Sequence, residues 1–113
     1  MRYMLLIHHD DEAGAAAPQQ EVYAEWAAFN EALNKAGGIP GMRLQPAALA
    51  TTVRVRNGKT DVLDGPYIEA REQLAGYFVI DVPSLDEAIT WAQRCPSSKY
   101  GSIEIRPIFE QQN

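Results

Sequence analysis

Residues 51–64 read TTVRVRNGKTDVLD, and they carry the signal that decides the fold. Valines alternate with threonine or arginine over residues 51–56, which is the two-residue period of a β-strand. Asn57-Gly58 follows and suits a type I′ turn, because both central residues of that turn need positive φ. Residues 59–63 then predict the returning strand. The stretch predicts a hairpin and therefore an antiparallel sheet.

Two helices are predicted, one on each side of this hairpin. Apolar residues fall four, three and four apart from Val22 onward, which indicates a helix over residues 21–36 with one buried stripe. Gly37-Gly38 ends this helix. Ser84 followed by Glu87 forms a capping box and begins the second helix. The buried stripe predicted for it consists of Leu85, Ala88, Ile89 and Ala92.

Three further strands are predicted, at residues 1–7, 76–82 and 103–109. Residues 10–20 are acidic and then alanine-rich, and they are predicted to be a loop or a loose first helical turn. Residues 39–48 hold two prolines and a glycine and are predicted to be a connection. The resulting order is strand, helix, hairpin, strand, helix, strand. Two helices on one face of an antiparallel sheet predict a ferredoxin-like two-layer α+β sandwich, in one domain of residues 1–113.

The composition fits one soluble domain and argues against binding to nucleic acid or to anionic membrane surfaces. The chain has 113 residues, a net charge of -5 and ten basic residues spread along its length. Nucleic acid and anionic membrane surfaces need a basic patch, so neither is expected. The single Cys95 excludes an internal disulfide. The apolar run at residues 4–7 is too short for a signal peptide core or a spanning helix, so a cytoplasmic location is expected.

The sheet face away from the helices predicts a homodimer. Its side chains are too mixed for a monomer core and too apolar for plain exposure to solvent. Two such sheets packed face to face across a twofold axis would bury it. The residues assigned to this face are Arg54, Arg56, Tyr77, Val79, Glu104, Arg106 and Ile108.

The motifs in this order resemble the YCII-related family, in its DGPF-type branch. The resemblance covers nearly the whole chain and is specific because of the order and spacing of its parts. They are MRYMLLI at residues 1–7, LQPAALATTVRVRNGK at 44–59, DGPYIEAREQLAGYFVIDVPSLDEAITWA at 64–92 and KYGSIEIRPI at 99–108.

The resemblance implies a ferredoxin-like fold that forms dimeric α/β barrels. Related domains occur beside extracytoplasmic-function sigma factors, and some members of the wider superfamily are lyase-like enzymes with a His–Asp pair. This chain departs from the branch pattern at Tyr67, where Phe is usual, at Arg71, where Lys is usual, and at His8, where Tyr is common. The superfamily histidine expected on the first helix has no counterpart here, so that mechanism does not transfer by position.

Asp64 and His8 are the candidate catalytic residues. Asp64 precedes Gly65-Pro66, where an aspartate either braces the loop through backbone amides or presents a carboxylate to a pocket. His8 ends the first strand, and a contact with Asp64 would fix its tautomer and raise its basicity for acid–base chemistry. His8 and His9 point to opposite faces of a strand, so they cannot share a metal ion.

Tyr67, Glu69, Arg71 and Tyr100 are the candidate ligand-binding residues. Arg71 could bridge to Asp64 or hold an anionic group, with Glu69 on the same charged turn. Tyr67 and Tyr100 could polarise an oxygen of the ligand, although packing is the other role open to them. Neither a metal site nor a nucleotide-cofactor motif is present, so no cofactor is expected.

Two functions remain open from the sequence. The first is a small homodimer with a polar cleft near Asp64 that binds a small organic molecule and acts as a cofactor-independent acid–base enzyme. The second is a non-catalytic accessory module of a sigma-factor system. A cavity beside a buried Asp64 would favour the first, and a contiguous apolar patch outside the dimer interface would favour the second.

Overall fold

A computed structural model describes residues 1–110 of the chain. It has six strands and three α-helices, with short 3-10 turns at Ala47–Leu49 and Pro96–Lys99. In chain order the elements are β1 (Arg2–His9), α1 (Asp11–Ala16), α2 (Gln19–Lys35), β2 (Ile39–Arg43), β3 (Thr51–Arg56), β4 (Lys59–Asp64), β5 (Gln73–Asp81), α3 (Leu85–Arg94) and β6 (Gly101–Pro107).

Four strands form one antiparallel sheet in the order β2-β5-β1-β6. Leu5 in the middle of β1 lies opposite Phe78 of β5 on one side and Ile105 of β6 on the other. The helices α2 and α3 pack on one face of this sheet. The arrangement is ferredoxin-like, which confirms the predicted fold class.

The core lies between this sheet face and the two helices. Alternate residues of β1 point into it, and Leu5 and Leu33 are almost completely buried. Phe29 of α2 stands at the centre, with edge-to-face ring contacts that place its centroid 5.3 Å from Phe78 and 5.9 Å from Trp91. Ring packing of this kind fixes how α2 and α3 sit on the sheet.

The predicted hairpin is present but does not belong to the main sheet. Asn57 and Gly58 have φ of 53° and 75°, as a type I′ turn requires. β3 and β4 pair only with each other within residues 1–110 and form a separate two-stranded sheet. The assignment of Arg54 and Arg56 to the outer face of the main sheet was therefore wrong.

β2 occupies one edge of the main sheet, of which the hairpin was expected to be a part. It lies in the stretch that was predicted to be a connection, and it pairs with β5 beside Val79 and Phe78. An edge strand tolerates Pro40, since its missing N–H is not needed on the solvent side. A Cβ on Gly41 would lie 1.9 Å from the carbonyl oxygen of Tyr77. Glycine therefore allows the two backbones to approach.

The helices differ from the prediction in two places. Part of residues 10–20 is helical, because the Asp10 side chain caps α1 by accepting a hydrogen bond from the Glu12 amide at 2.9 Å. The start of α3 at Ser84 is confirmed, yet Leu85 and Ile89 are exposed instead of buried. Trp91 packs on Phe29, and this turns the buried stripe of α3 toward Ala88 and Ala92.

In the part of the chain that is described, no helix has both the length and the apolar character needed to cross a membrane.

Candidate functional site

A cavity of about 830 Å³ lies beside the end of β1, between the base of the hairpin and the segment that follows it. It is named here the His8 cavity, after the histidine on its wall. Its lining is mostly apolar and comes from residues 44–53 and residues 66–74. The larger apolar side chains in the lining are Leu44, Leu49, Val53, Tyr67, Ile68 and Leu74.

Residues 64–72, the DGP segment, form one side of this cavity. Gly65 has φ of 104°, a conformation that side chains rarely permit. Its amide donates to the carbonyl of Ala50 at 2.7 Å, and its carbonyl accepts from the Thr52 hydroxyl at 2.9 Å. These bonds tie the turn to the start of β3. The chain is thereby directed back toward the main sheet.

Side chains from outside hold the rest of the DGP segment in place. The Gln73 amide donates to the carbonyls of Ile68 at 2.8 Å and Ala70 at 3.0 Å. Ser102 of β6 donates to Glu72 Oε1 at 2.7 Å. Arg71 Nε donates to Asp10 Oδ2 at 2.8 Å. The segment is irregular in secondary structure but is fixed to β1, β5 and β6.

His8 lines the cavity, and its Nε2 lies 3.0 Å from Glu104 Oε1. Both residues point to the sheet face away from the helices, because His8 pairs with Ser102 in the register and Glu104 lies two residues further along β6. An ionised carboxylate only accepts hydrogen bonds, so Nε2 is the donor. In the neutral ring Nδ1 is then left as the proton acceptor.

His9 takes no part in this arrangement. Its Nε2 lies 3.3 Å from Asp11 Oδ1, on the opposite side of β1 from His8. The two histidines therefore have separate carboxylate partners. Residues 1–110 contain no group of three histidine, cysteine or acidic side chains that could hold a metal ion.

Asp64 is the last residue of β4 and is exposed. It does not line the cavity, and its side chain makes no hydrogen bond or ion pair with any residue between 1 and 110. The backbone of Gly65 and the hydroxyl of Thr52 brace the loop instead. The structure does not bring Asp64 and His8 together.

Of the four ligand-binding candidates, the cavity includes Tyr67 alone. The Arg54 guanidinium lies 5.3 Å from the centroid of its ring. Glu69 and Arg71 are exposed and do not line the cavity, and Arg71 is paired with Asp10. Tyr100 follows the Pro96–Lys99 turn, and it too is outside the lining.

Two polar residues near the cavity were not among the candidates, Ser102 and Glu104, and Glu72 was considered only as part of the charged turn with Glu69 and Arg71. The alternation along β6 places Ser102 and Glu104 on one face, and ferredoxin-like topology places β6 beside β1. These two facts together could have pointed to a His8–Glu104 contact. Glu72 stands in the DGP segment, but its contact with Ser102 follows from no local pattern.

Two charged side chains, Asp10 and Lys99, have pKa values that are shifted by their ion-pair partners. The hydrogen bond from Arg71, supported by the backbone amide of Glu12, holds the pKa of Asp10 below its ordinary value. On the helix side, the hydrogen bond to Glu25 raises the pKa of Lys99. Burial raises the pKa of the Cys95 thiol to about 11, so Cys95 is not a reactive nucleophile.

Comparison with known proteins identifies the family of the chain. Residues 1–112 match the family model described as the YCII-related domain. The chain belongs to the YCII-related family. An uncharacterized protein of Rhizobium meliloti (strain 1021) is 36% identical to it over 114 residues, which cover 96% of this chain and 92% of that protein. The predicted family is therefore confirmed across the whole length of the domain.

Proposed function

We propose that this chain is a small cytoplasmic homodimer that binds an organic molecule in the His8 cavity and moves a proton on it without a cofactor. The observation that carries the proposal is the pairing of His8 with Glu104 on the wall of that cavity. A histidine whose ring is oriented by a carboxylate, and which faces a bound molecule, has the geometry of a general acid–base catalyst.

In this mechanism Nδ1 of His8 takes a proton from the bound molecule. The imidazolium that forms is stabilised by Glu104, which remains ionised. The same nitrogen then returns the proton to another atom of the molecule. The net result is an isomerisation if that atom is a carbon of the same molecule. It is an elimination if that atom belongs to a leaving group, which departs with the proton and with the electron pair of its broken bond. Glu104 replaces Asp64 as the carboxylate partner, so the His–Asp hypothesis becomes a His–Glu hypothesis.

The cavity supports the binding part of the proposal. Its volume falls within the range of small-molecule sites, and apolar walls with a few polar groups are typical of such sites. The lining that residues 1–110 provide contains no lysine or arginine, and Arg71 is paired with Asp10 outside it. The role of anion holder that the sequence suggested for Arg71 therefore has no support from its position.

The homodimer is supported by two apolar surfaces. Met4, Leu6, Tyr77 and Val79 stand on the sheet face away from the helices and are half-buried within the single chain. Val53, Val55 and Val62 form one face of the hairpin and are each more than half exposed. Contact with a second copy would remove both surfaces from water. The free thiol of Cys95 is compatible with a reducing, cytoplasmic compartment.

Binding is tested with a screen of small organic compounds, read as an increase in the unfolding temperature. The variant Ala47→Trp fills the cavity, because Ala47 lies in its lining. Its matched control is Ala48→Trp, since Ala48 is the exposed neighbour outside the lining. We expect compounds that stabilise the native protein and the Ala48→Trp variant but not the Ala47→Trp variant. A screen without such compounds would overturn the binding proposal.

Proton transfer is tested on the compounds that bind, by NMR detection of deuterium incorporation at their carbon atoms in D2O. We expect His8→Gln to reduce the exchange rate about 10²-fold or more. The matched control is His9→Gln, which removes the neighbouring histidine on the opposite face. Equal exchange in the two variants would leave binding intact and overturn the catalytic role of His8.

The alternative function is a non-catalytic accessory module of an extracytoplasmic-function sigma factor system. The exposed valine face of the hairpin is the observation that favours it, since such a face can bind another protein. In that case the Ala47→Trp variant would keep full function. Charged substitutions on the valine face would abolish that function.

A further inference from the structure

The His8 cavity has one carboxylate, that of Glu72, and no lysine or arginine among its described lining residues. We propose that it selects a largely apolar, uncharged or cationic molecule that presents a hydrogen-bond donor, such as a phenolic hydroxyl or an amine, to Glu72. This inference rests on the proposed function, because it assumes that the cavity binds a small molecule. It adds the chemical class of the ligand.

Three of the side-chain donors in the lining are already used within the chain, whereas the Tyr67 hydroxyl and the side chains of Gln45 and Thr51 make no hydrogen bond within residues 1–110. The Thr52 hydroxyl donates to the Gly65 carbonyl, and the Gln73 amide donates to the carbonyls of Ile68 and Ala70. Nε2 of His8 is directed at Glu104. These groups cannot donate to a ligand without breaking an internal bond.

The acceptors, by contrast, remain available. Glu72 is the one carboxylic acid in the described lining, and it receives a single hydrogen bond, from Ser102 to Oε1. A carboxylate has about four lone-pair sites, so Oε2 and part of Oε1 are free for a ligand. The side-chain carbonyl of Gln73 and Nδ1 of His8 are further acceptors, and Gln45 and Thr51 can act in either sense.

The charge of the lining points the same way. None of the described lining residues is lysine or arginine. A ligand carboxylate or phosphate would meet Glu72 at short range. Arg54 lies over the Tyr67 ring, with its guanidinium 5.3 Å from the ring centroid, but it is not itself a lining residue, so repulsion from Glu72 disfavours an anion. An ammonium or a hydroxyl would instead gain a charge-assisted hydrogen bond to the same group. The apolar wall of Leu44, Leu49, Val53 and Ile68 favours a ring or branched hydrocarbon body.

The inference is tested with three compounds that share one ring system and differ in the polar group: 2-naphthol, 2-naphthylmethylamine and 2-naphthoate. Dissociation constants are measured at neutral pH by ligand-observed NMR. We expect the naphthol and the amine to bind at least about tenfold more tightly than the carboxylate. Glu72→Gln keeps the size of the side chain and a carbonyl that accepts from Ser102. It should weaken the amine about tenfold and reduce the discrimination against naphthoate.

The matched control is Glu69→Gln, which removes the same charge three residues earlier on the exposed side of the DGP segment. It should leave all three dissociation constants unchanged. Tightest binding of naphthoate, or an excess of carboxylic acids among the compounds that stabilise the protein, would overturn the ligand class while the binding proposal stands. A screen that finds no ligand of any charge would overturn both.

Discussion

Arg71 Nε lies 2.8 Å from Asp10 Oδ2, and this ion pair joins the DGP segment to the residue that caps α1. The second oxygen of Asp10 accepts the Glu12 amide at 2.9 Å, so one carboxylate serves both a helix cap and a segment contact. The Asp10 side chain is only 15% exposed, whereas that of Arg71 is 87% exposed. Because Asp10 follows directly after β1, the pair also fixes the DGP segment relative to His8.

The first prediction concerns the pH dependence of this pair. The contact with Arg71 holds the pKa of folded Asp10 below its ordinary value of 3.8. The pair therefore stabilises the fold above that pH, and the contribution is lost as the pH falls through the lower folded pKa. Arg71→Gln should be less stable than the native protein at pH 7, and the difference should shrink below about pH 4. Urea unfolding at pH 7, 5 and 3 measures it.

Arg94→Gln is the control for this experiment. Arg94 lies over the ring of Trp91 with its guanidinium 4.4 Å from the centroid, and no carboxylate contacts it within the described residues. Its substitution removes one positive charge without breaking an ion pair. Its effect on stability should not change between pH 5 and pH 3. The same pH profile for both variants would contradict the role of the Asp10–Arg71 pair.

The second prediction concerns the reactivity of Cys95. The residue is 1% exposed, and burial raises its pKa to about 11. At pH 8 such a thiol is ionised in roughly one molecule in a thousand, and the thiolate is the reactive form. Iodoacetamide should therefore modify the native protein at least about a hundredfold more slowly than the urea-unfolded chain.

A double variant supplies the comparison for Cys95 in the folded state. Cys95→Ala combined with Gln93→Cys moves the single thiol two residues earlier, to an exposed position on α3. Mass spectrometry should show rapid modification of this protein under native conditions. Equally rapid modification of Cys95 in the native protein would mean that the end of α3 opens readily.

The third prediction separates two glycines by backbone conformation. Gly65 has φ of 104° with open space around it, so a side chain there meets no atom but strains the backbone. Gly65→Ala should cost about 1–3 kcal/mol of the free energy of unfolding. Gly14 lies inside α1 with the nearest atom 4.0 Å from an added Cβ, and Gly14→Ala should stabilise by about 0.5–1 kcal/mol. Urea unfolding that gave both changes the same sign would exclude strain as the reason for Gly65.

Local signals in the sequence predicted the elements well. Asn57-Gly58 gave the type I′ turn and Ser84 gave the start of α3, because both depend on backbone geometry within a few residues. β2 was missed for the opposite reason. It pairs with β5, and Gly41 allows its backbone to approach that of Tyr77, a residue far away in the sequence. Its proline and glycine, with Pro46 shortly after the strand, give a loop pattern when they are considered alone.

In the candidate site, too, the local features were predicted from the sequence and the long-range contacts were not. His8 was identified at the end of β1, where the strand pattern stops. Its partner depends on the pairing of β1 with β6, which brings together residues 96 positions apart. Asp64 attracted attention because Gly65-Pro66 follows it, yet the hairpin belongs to a separate sheet and carries Asp64 to an exposed position. The position of the hairpin outside the main sheet thus explains why Arg54 and Arg56 were assigned to the wrong face, and also why Asp64 does not lie beside His8.

The shape of the chain provides the basis for the last prediction. Its radius of gyration is 16.1 Å, whereas a compact chain of this length has about 13 Å. Its shortest dimension is 19 Å, which accommodates one sheet and one helix layer but not a hairpin on top of them. The hairpin therefore extends to the side. A two-stranded hairpin is only marginally stable when it stands alone in water.

The last prediction is that the valine face of the hairpin lies in the dimer interface. Val62 is 63% exposed and lies directly opposite Val53 on this face. Val62→Lys should weaken the dimer at least about tenfold, because a charge would replace an apolar contact. Analytical ultracentrifugation across micromolar concentrations measures the dissociation constant.

Leu63→Lys is the matched control, since Leu63 is the next residue of β4 and points to the opposite face of the hairpin. It is similarly exposed, at 48%, and it introduces the same charge. The dimer should tolerate this change. A native protein that sediments as a monomer would exclude the homodimer. Equal weakening by both substitutions would show that the valine face has no special part in it, and the hairpin would then need another partner to cover it.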